Sequence, residues 1–176
     1  MKKFKAASLV VDADVARAAG LSEKPVSSSA RAVLLAIADP DAGLKIAFSP
    51  DLRAEWKRHA SVFATTWLAN MVARGKVVRV NPPALTANEV QKAPLSDNHK
   101  QIAEKDAHLL DIALATHQFI ASNDKTARAV FCLLSNHSIL YNDTIWVVPT
   151  DCADALVAIM KNGGFIPSEW HLFPGS

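Results

Sequence analysis

Apolar and polar positions alternate along this chain in blocks that predict strands separated by helices. Leu9-Val10-Val11 reads as a buried strand that begins at about Ser8 and delivers Asp12 where the apolar run ends. A Ser27-Ser28-Ser29 cluster is expected to cap a helix running through Ala30 to Leu35. Leu44 to Phe48 makes a second strand, stopped by Ser49-Pro50. Pro50 then suits the first turn of a long helix, with Leu52, Trp56, Phe63, Trp67, Leu68 and Met71 at roughly helical spacing before Gly75 ends it.

Val77 to Val80 is a third strand, bounded by Asn81-Pro82-Pro83. Thr86 to Asp97 is expected to be a short helix or loop broken by Pro94, followed by a helix carrying Ile102, Leu109, Leu110, Ile112, Ala113 and Leu114. Phe119-Ile120-Ala121 is a fourth strand, Lys125 to Leu134 a helix, Thr144 to Val148 a fifth strand and Asp151 to Lys161 a last helix. Strands separated by helices imply an α/β fold of three α/β/α layers around a central, mainly parallel five-stranded sheet. The expected organisation is one domain over residues 1–162. An irregular aromatic tail over 163–176, with Phe165, Trp170 and Phe173, packs on that domain or on a partner.

Composition narrows the class. Half of the 176 residues are hydrophobic and a fifth charged, which suits a folded chain rather than a disordered one. A net charge of +2 is too small to imply nucleic-acid binding, so any such contact must come from local clusters of Lys and Arg. Cys132 and Cys152 lack the companions of a structural zinc site and suggest no disulfide framework. Asp12 and Asp14 interrupt the apolar stretch behind the basic Met1–Lys5 segment too soon for a signal peptide, and no apolar run approaches membrane-spanning length. The expectation is a cytoplasmic protein.

In open parallel sheets ligands bind beyond the carboxyl ends of the strands. Asp12 closes the first strand and Asp124 closely follows the fourth. Asp106 begins the clear helical repeat before the fourth strand, and Glu55 lies one turn into the helix after the second. Each alone reads as a solvated acid. If they converge, carboxylates about 4 Å apart repel by roughly 4 kcal/mol per pair at an effective dielectric near 20, and so take up protons or bind cations. Magnesium or manganese relieves that repulsion, and one or two such ions can activate water against a phosphodiester.

The segments Val10-Val11-Asp12-Ala13-Asp14, Glu55, Lys105-Asp106-Ala107-His108-Leu109-Leu110-Asp111-Ile112-Ala113 and Ile120-Ala121-Ser122-Asn123-Asp124 resemble the PIN-domain nucleases, which include the VapC-like toxin ribonucleases. The resemblance implies Asp12, Glu55, Asp106 and Asp124 as catalytic residues, with Mg²⁺ or Mn²⁺ held by Asp12, Asp106 and Asp124. It makes Ser122 the small hydroxyl residue that orders the site, with Asp14 a secondary candidate. It also implies an endoribonuclease acting on RNA, the toxin of a toxin–antitoxin pair, with an antitoxin protein as partner and a homodimeric state. Thr86 to Asp97 and the aromatic tail have no clear counterpart in the family's pattern.

Asp111, turned about 140° from Asp106 around a helix, reads as structural or peripheral. Arg53, Lys57 and Arg58 around Glu55, and Lys125 and Arg128 after Asp124, are candidates for contacting phosphates. His59, four residues after Glu55, is a possible general base that water activation by a metal makes unnecessary. Asp12-Ala13-Asp14 also resembles the opening of haloacid-dehalogenase-like phosphatases, in which the first Asp attacks phosphorus and the second serves as acid and base. Ile46-Ala47-Phe48-Ser49 imitates their Ser-ended strand. That alternative leaves Glu55 and Asp106 without roles. A second alternative is a non-catalytic PIN-like module that binds RNA or protein. A dinucleotide-binding fold lacks its glycine fingerprint, and chain order gives no convincing Ser/His/Asp triad.

Overall fold

A strand buried on both faces has no room for polar side chains, and Leu9, Val10 and Val11 are wholly shielded in β1 (Ser8–Val11). The computed structural model describes residues 3–5 and 7–173; Met1, Lys2, Ala6 and the last three residues of the expected tail lie outside the described residues. β1 pairs with β2 (Lys45–Phe48) on one side and with β4 (Phe119–Ala121) on the other, so that Val10 stands opposite both Ala47 and Ile120. β3 (Val77–Arg79) lies beyond β2 and β5 (Ile145–Val147) beyond β4. The order is β3-β2-β1-β4-β5 and every pairing is parallel.

The chain moves outward from β1 through β2 to β3, then returns to β4 and moves outward again to β5. Helical crossovers between the parallel strands cover both faces and give the three layers expected. β1 leads through α1 (Ala13–Ala18) and α2 (Pro25–Ala38) to β2, and β2 through α3 (Pro50–His59) and α4 (Val62–Ala73) to β3. β3 leads through α5 (Leu85–Lys92) and α6 (Asp97–Leu114) to β4, and β4 through α7 (Lys125–Ser135) to β5. α8 (Pro149–Asn162) follows β5 and packs along α2.

Two local expectations need correction. The single helix expected from Pro50 to Gly75 is two: Ala60 is extended, and Ser61 caps α4 by accepting from the Ala64 amide at 3.1 Å while donating to the Ala19 carbonyl at 2.8 Å. Apolar spacing continues nearly in phase across that break, which hides it. α2 starts at Pro25 rather than after the serine cluster, and Ser28 Oγ bonds back to the carbonyls of Lys24 and Pro25 inside the first turns. The expected short helix before Pro94 is α5, which holds Thr86 and ends as Ala93 extends.

The tail docks on its own domain. Ile166, Trp170 and Leu172 are buried, His171 bridges antiparallel to Ile145, and the Leu172 amide donates to the Thr144 carbonyl at 2.9 Å, so the segment covers the outer edge of β5. Phe165 remains 59% exposed. Among the described residues no helix is long and apolar enough to cross a membrane.

Candidate active site

Strand order reverses between β1 and β4, and beyond the carboxyl ends of these two strands side chains from separate crossovers can meet. Asp12 follows β1 directly. Its amide donates to the Ala121 carbonyl at 3.0 Å, prolonging the ladder and fixing where its carboxylate stands. It caps α1 with extended backbone and is only 8% exposed. Oδ1 faces the Asp14 amide at 3.4 Å, and Oδ2 accepts from Ser122 Oγ at 2.7 Å.

Ser122 is wholly buried after β4, and its amide donates to the Val147 carbonyl at 3.1 Å. Its single hydroxyl proton goes to Asp12, and its oxygen accepts from the Asp124 amide at 3.1 Å. Asp124 in turn caps α7, with Oδ1 accepting from the Ala127 amide at 2.7 Å. The first and last acids of the expected set are thus joined through one serine.

Asp14 is more deeply engaged than its secondary rank in the sequence suggests. Its Oδ2 accepts from the Asn123 amide at 2.9 Å, while Oδ1 is buried without a hydrogen-bond partner. Burial and then the charge of Asp12, with a smaller push from Asp124, raise its carboxyl to about 7, against amide hydrogen bonds from Asn123 and Val15 that pull it down. Asp106, partly buried on α6, is likewise pushed to about 7. Burial is the largest cause, then the charges of Asp12 and Asp124; Glu55 adds to them and His108 opposes. Asp12 and Asp124 thus stand near enough to Asp106 for their charges to raise its carboxyl.

Glu55 sits on α3 beside Trp56, whose Nε1 donates to the Val11 carbonyl at 2.9 Å and so ties this helix to the end of β1. Glu55 Oε2 lies 3.4 Å from His108 Nε2, a close approach without hydrogen-bond alignment. His108 Nδ1 is 3.2 Å from the Lys105 carbonyl. Sequence reasoning gave His108 no role, because two residues from Asp106 on a helix points elsewhere; only the packing of α3 on α6 brings it to Glu55. A cavity of about 490 Å³ opens beside this pair, lined also by Asp51, Arg58 and Glu104.

Asp111 is buried and accepts from the Thr86 amide at 2.8 Å and Thr86 Oγ1 at 2.7 Å, so it anchors α5 to α6. His59 is exposed in the last turn of α3. Arg53, Lys57 and Arg58 are exposed on the same helix, with the Arg53 guanidinium 5.8 Å from the centre of the Phe48 ring. Lys125 pairs with Asp151 at 2.7 Å. Arg128 donates from Nε to the Trp146 carbonyl at 3.2 Å and also to the Glu169 carbonyl, tethering the tail.

Among the described residues no three His, Cys, Asp or Glu side chains are gathered closely enough to form a ready-made metal cage. The donor set nevertheless fits magnesium or manganese. All of its atoms are hard carboxylate oxygens, one of them (Asp14 Oδ1) is buried without a hydrogen-bond partner, and two carboxyls are held near neutral pH by burial and their neighbours' charge. Magnesium keeps several waters and binds through only one or two carboxylates, so a closed protein cage is not required. No family model matches the chain, and no curated protein matches it in sequence.

Proposed function

We propose that this protein is a divalent-metal-dependent endoribonuclease of PIN type, hydrolysing RNA phosphodiester bonds. The observation that carries the reading is the buried Ser122 link from the Asp12 carboxylate to the Asp124 amide at the switch point of a parallel sheet, with Asp106 near enough to feel the charge of both acids. In this reading Asp12, Asp106 and Asp124 hold the cation, and Asp14 contributes a further oxygen at the same place. Glu55 stands at the margin and orients the water to be activated, and His108 holds Glu55. The cation, when bound, supplies charge stabilisation and a more acidic water. Ser122 fixes the rotamer of Asp12, so that binding requires little reordering of the site.

Within the same proposal the protein is a cytoplasmic homodimer and the toxin partner of a small antitoxin. A short neighbouring gene whose product binds and inhibits the protein is the expected companion. The phosphatase alternative draws support from Asp14, whose carboxyl at about 7 suits an acid–base group two residues after a nucleophile. It gains nothing from Asp106, and both oxygens of Asp12 already face donors.

The test is cleavage of a mixed single-stranded and structured RNA pool with manganese, magnesium or EDTA, beside Asp12→Asn. Metal-dependent cutting that is lost in Asp12→Asn is the expected result. Hydrolysis of small phosphoesters without RNA cutting would move the assignment to the phosphatase.

A further inference from the structure

A second feature stands at the same end of the sheet. Where β2 and β3 end, Phe48, Pro50, Val72 and Val77 form the apolar wall of a cavity of about 430 Å³, with Arg53 and Arg79 among its polar groups. The volume lies in the range of small-molecule sites, and an apolar wall with few polar groups is the composition of such sites. Neither guanidinium is paired with a carboxylate among the described residues, and Arg53 rests against the Phe48 ring.

Its position follows from the register. Phe48 and Arg79 stand opposite each other on neighbouring strands, and β2 is the neighbour of β1, whose end carries Asp12. Strands lie about 4.8 Å apart, so the cavity sits roughly 5–10 Å along the sheet edge from Asp12. A chain that passes over the carboxylates and continues along this edge would meet two unpaired cations and an apolar slot next.

We propose that this cavity is a nucleobase subsite. It receives one unstacked base of a single-stranded RNA, whose flanking phosphate meets Arg53 and Arg79. This inference rests on the nuclease reading for its substrate class. Charge complementarity selects a polyanion. The apolar wall and the exposed Arg53 guanidinium, which covers the buried Phe48 ring, suit a ligand with a flat face, since bases stack on guanidinium planes irrespective of sequence.

The experiment is fluorescence anisotropy of short labelled single-stranded RNA, in EDTA so that no cleavage occurs, against an oligomer in which one nucleotide is abasic. The wild-type protein is expected to bind the intact oligomer about tenfold more tightly, the scale of one base stacking interaction. Val72→Trp, which fills the cavity, should erase that difference. Arg79→Ala, at an exposed position at the end of β3, should weaken both oligomers and lower the salt dependence. Equal affinity for the two oligomers, or an unchanged preference in a folded Val72→Trp, overturns the subsite. RNA cutting in manganese without any base-dependent binding removes the subsite and leaves the nuclease standing. Base-dependent binding without cutting does the reverse.

Discussion

Ser122 Oγ donates to Asp12 Oδ2 at 2.7 Å across the junction of β1 and β4, and in the same stroke accepts the Asp124 amide at 3.1 Å. One buried hydroxyl thus fixes a carboxylate at the end of β1 and a loop at the end of β4. Ser122→Ala would leave Asp12 without that donor and an amide without its acceptor. The expected cost is about 1–3 kcal/mol in urea unfolding. Cleavage should fall by about 10–100-fold, the range found when groups that orient metal-binding residues are removed. Stability loss with unchanged metal-dependent cleavage would show that Ser122 only braces the strands.

Asp14 and Asp106 make stability depend on pH in a direction opposite to that of a salt-bridged acid. Their carboxyls stand at about 7 in the folded protein, against an ordinary value of 3.8. Between about pH 4 and 7 the folded state therefore holds more protons than the unfolded chain, and stability declines as pH rises through that window. It is fully present below about 4 and levels off above 7 as far as these two groups are concerned. In EDTA, the unfolding midpoint should be higher at pH 5 than at pH 8, and Asp106→Asn should flatten part of that slope. Added manganese should raise the midpoint more at pH 8 than at pH 6, because the cation binds the deprotonated carboxylates. A midpoint that rises steadily from pH 5 to 8 in EDTA would mean that the two carboxyls are not under this strain.

The alternation of strands and helices could be read directly from the chain, because a parallel sheet demands unbroken apolar runs such as Leu9-Val10-Val11 and Phe119-Ile120-Ala121. The pairing of Asp12 with Asp124 was legible for the same reason: both follow strands, and strand ends gather at one edge. The break at Ala60-Ser61 was not, since a serine amid an apolar repeat carries no sign that it caps a new helix. Nor was the weight of Asp14. Two residues on from Asp12 a side chain ordinarily faces elsewhere, but Asp12 is a cap rather than a helical residue, so Asp14 in the first turn of α1 reaches the Asn123 amide. His108 depends wholly on tertiary packing, because its partner Glu55 lies on a helix from a different crossover.

Asp111 offers a contrast among acids of one helix. It shares α6 with Asp106, yet its Oδ1 takes both the amide and the hydroxyl of Thr86, whose oxygen also accepts from Tyr141 at 3.2 Å. All three side chains are buried, so truncation leaves donors unpaired away from water. Asp111→Ala should lower stability by about 2–4 kcal/mol, since one buried acceptor served two donors that are then left unpaired. Asp111→Asn keeps an acceptor oxygen and should cost much less. In both variants cleavage per folded molecule should stay within a few-fold of the parent. Loss of cleavage in a well-folded Asp111→Asn would bring this residue into the active site.

Arg128 and Arg58 separate the two uses of a cation near the acids. Arg58 is exposed beside the Glu55–His108 cavity, whereas Arg128 holds the carbonyls of Trp146 and Glu169 and so binds the tail to the end of β5. Removing a phosphate contact lowers the slope of log affinity against log salt by about 0.7 for a single strand, while removing a structural tether does not. Arg58→Ala should therefore weaken RNA binding at low salt and reduce the slope. Arg128→Ala should leave the slope unchanged and lower the unfolding midpoint, because bonds from a charged donor to two carbonyls contribute about 1.5–3 kcal/mol each at most. Limited proteolysis gives a second reading: the segment around Glu169 should be cut sooner in Arg128→Ala than in the parent. A reduced salt slope in Arg128→Ala with an intact tail would instead return this arginine to the nucleic-acid surface.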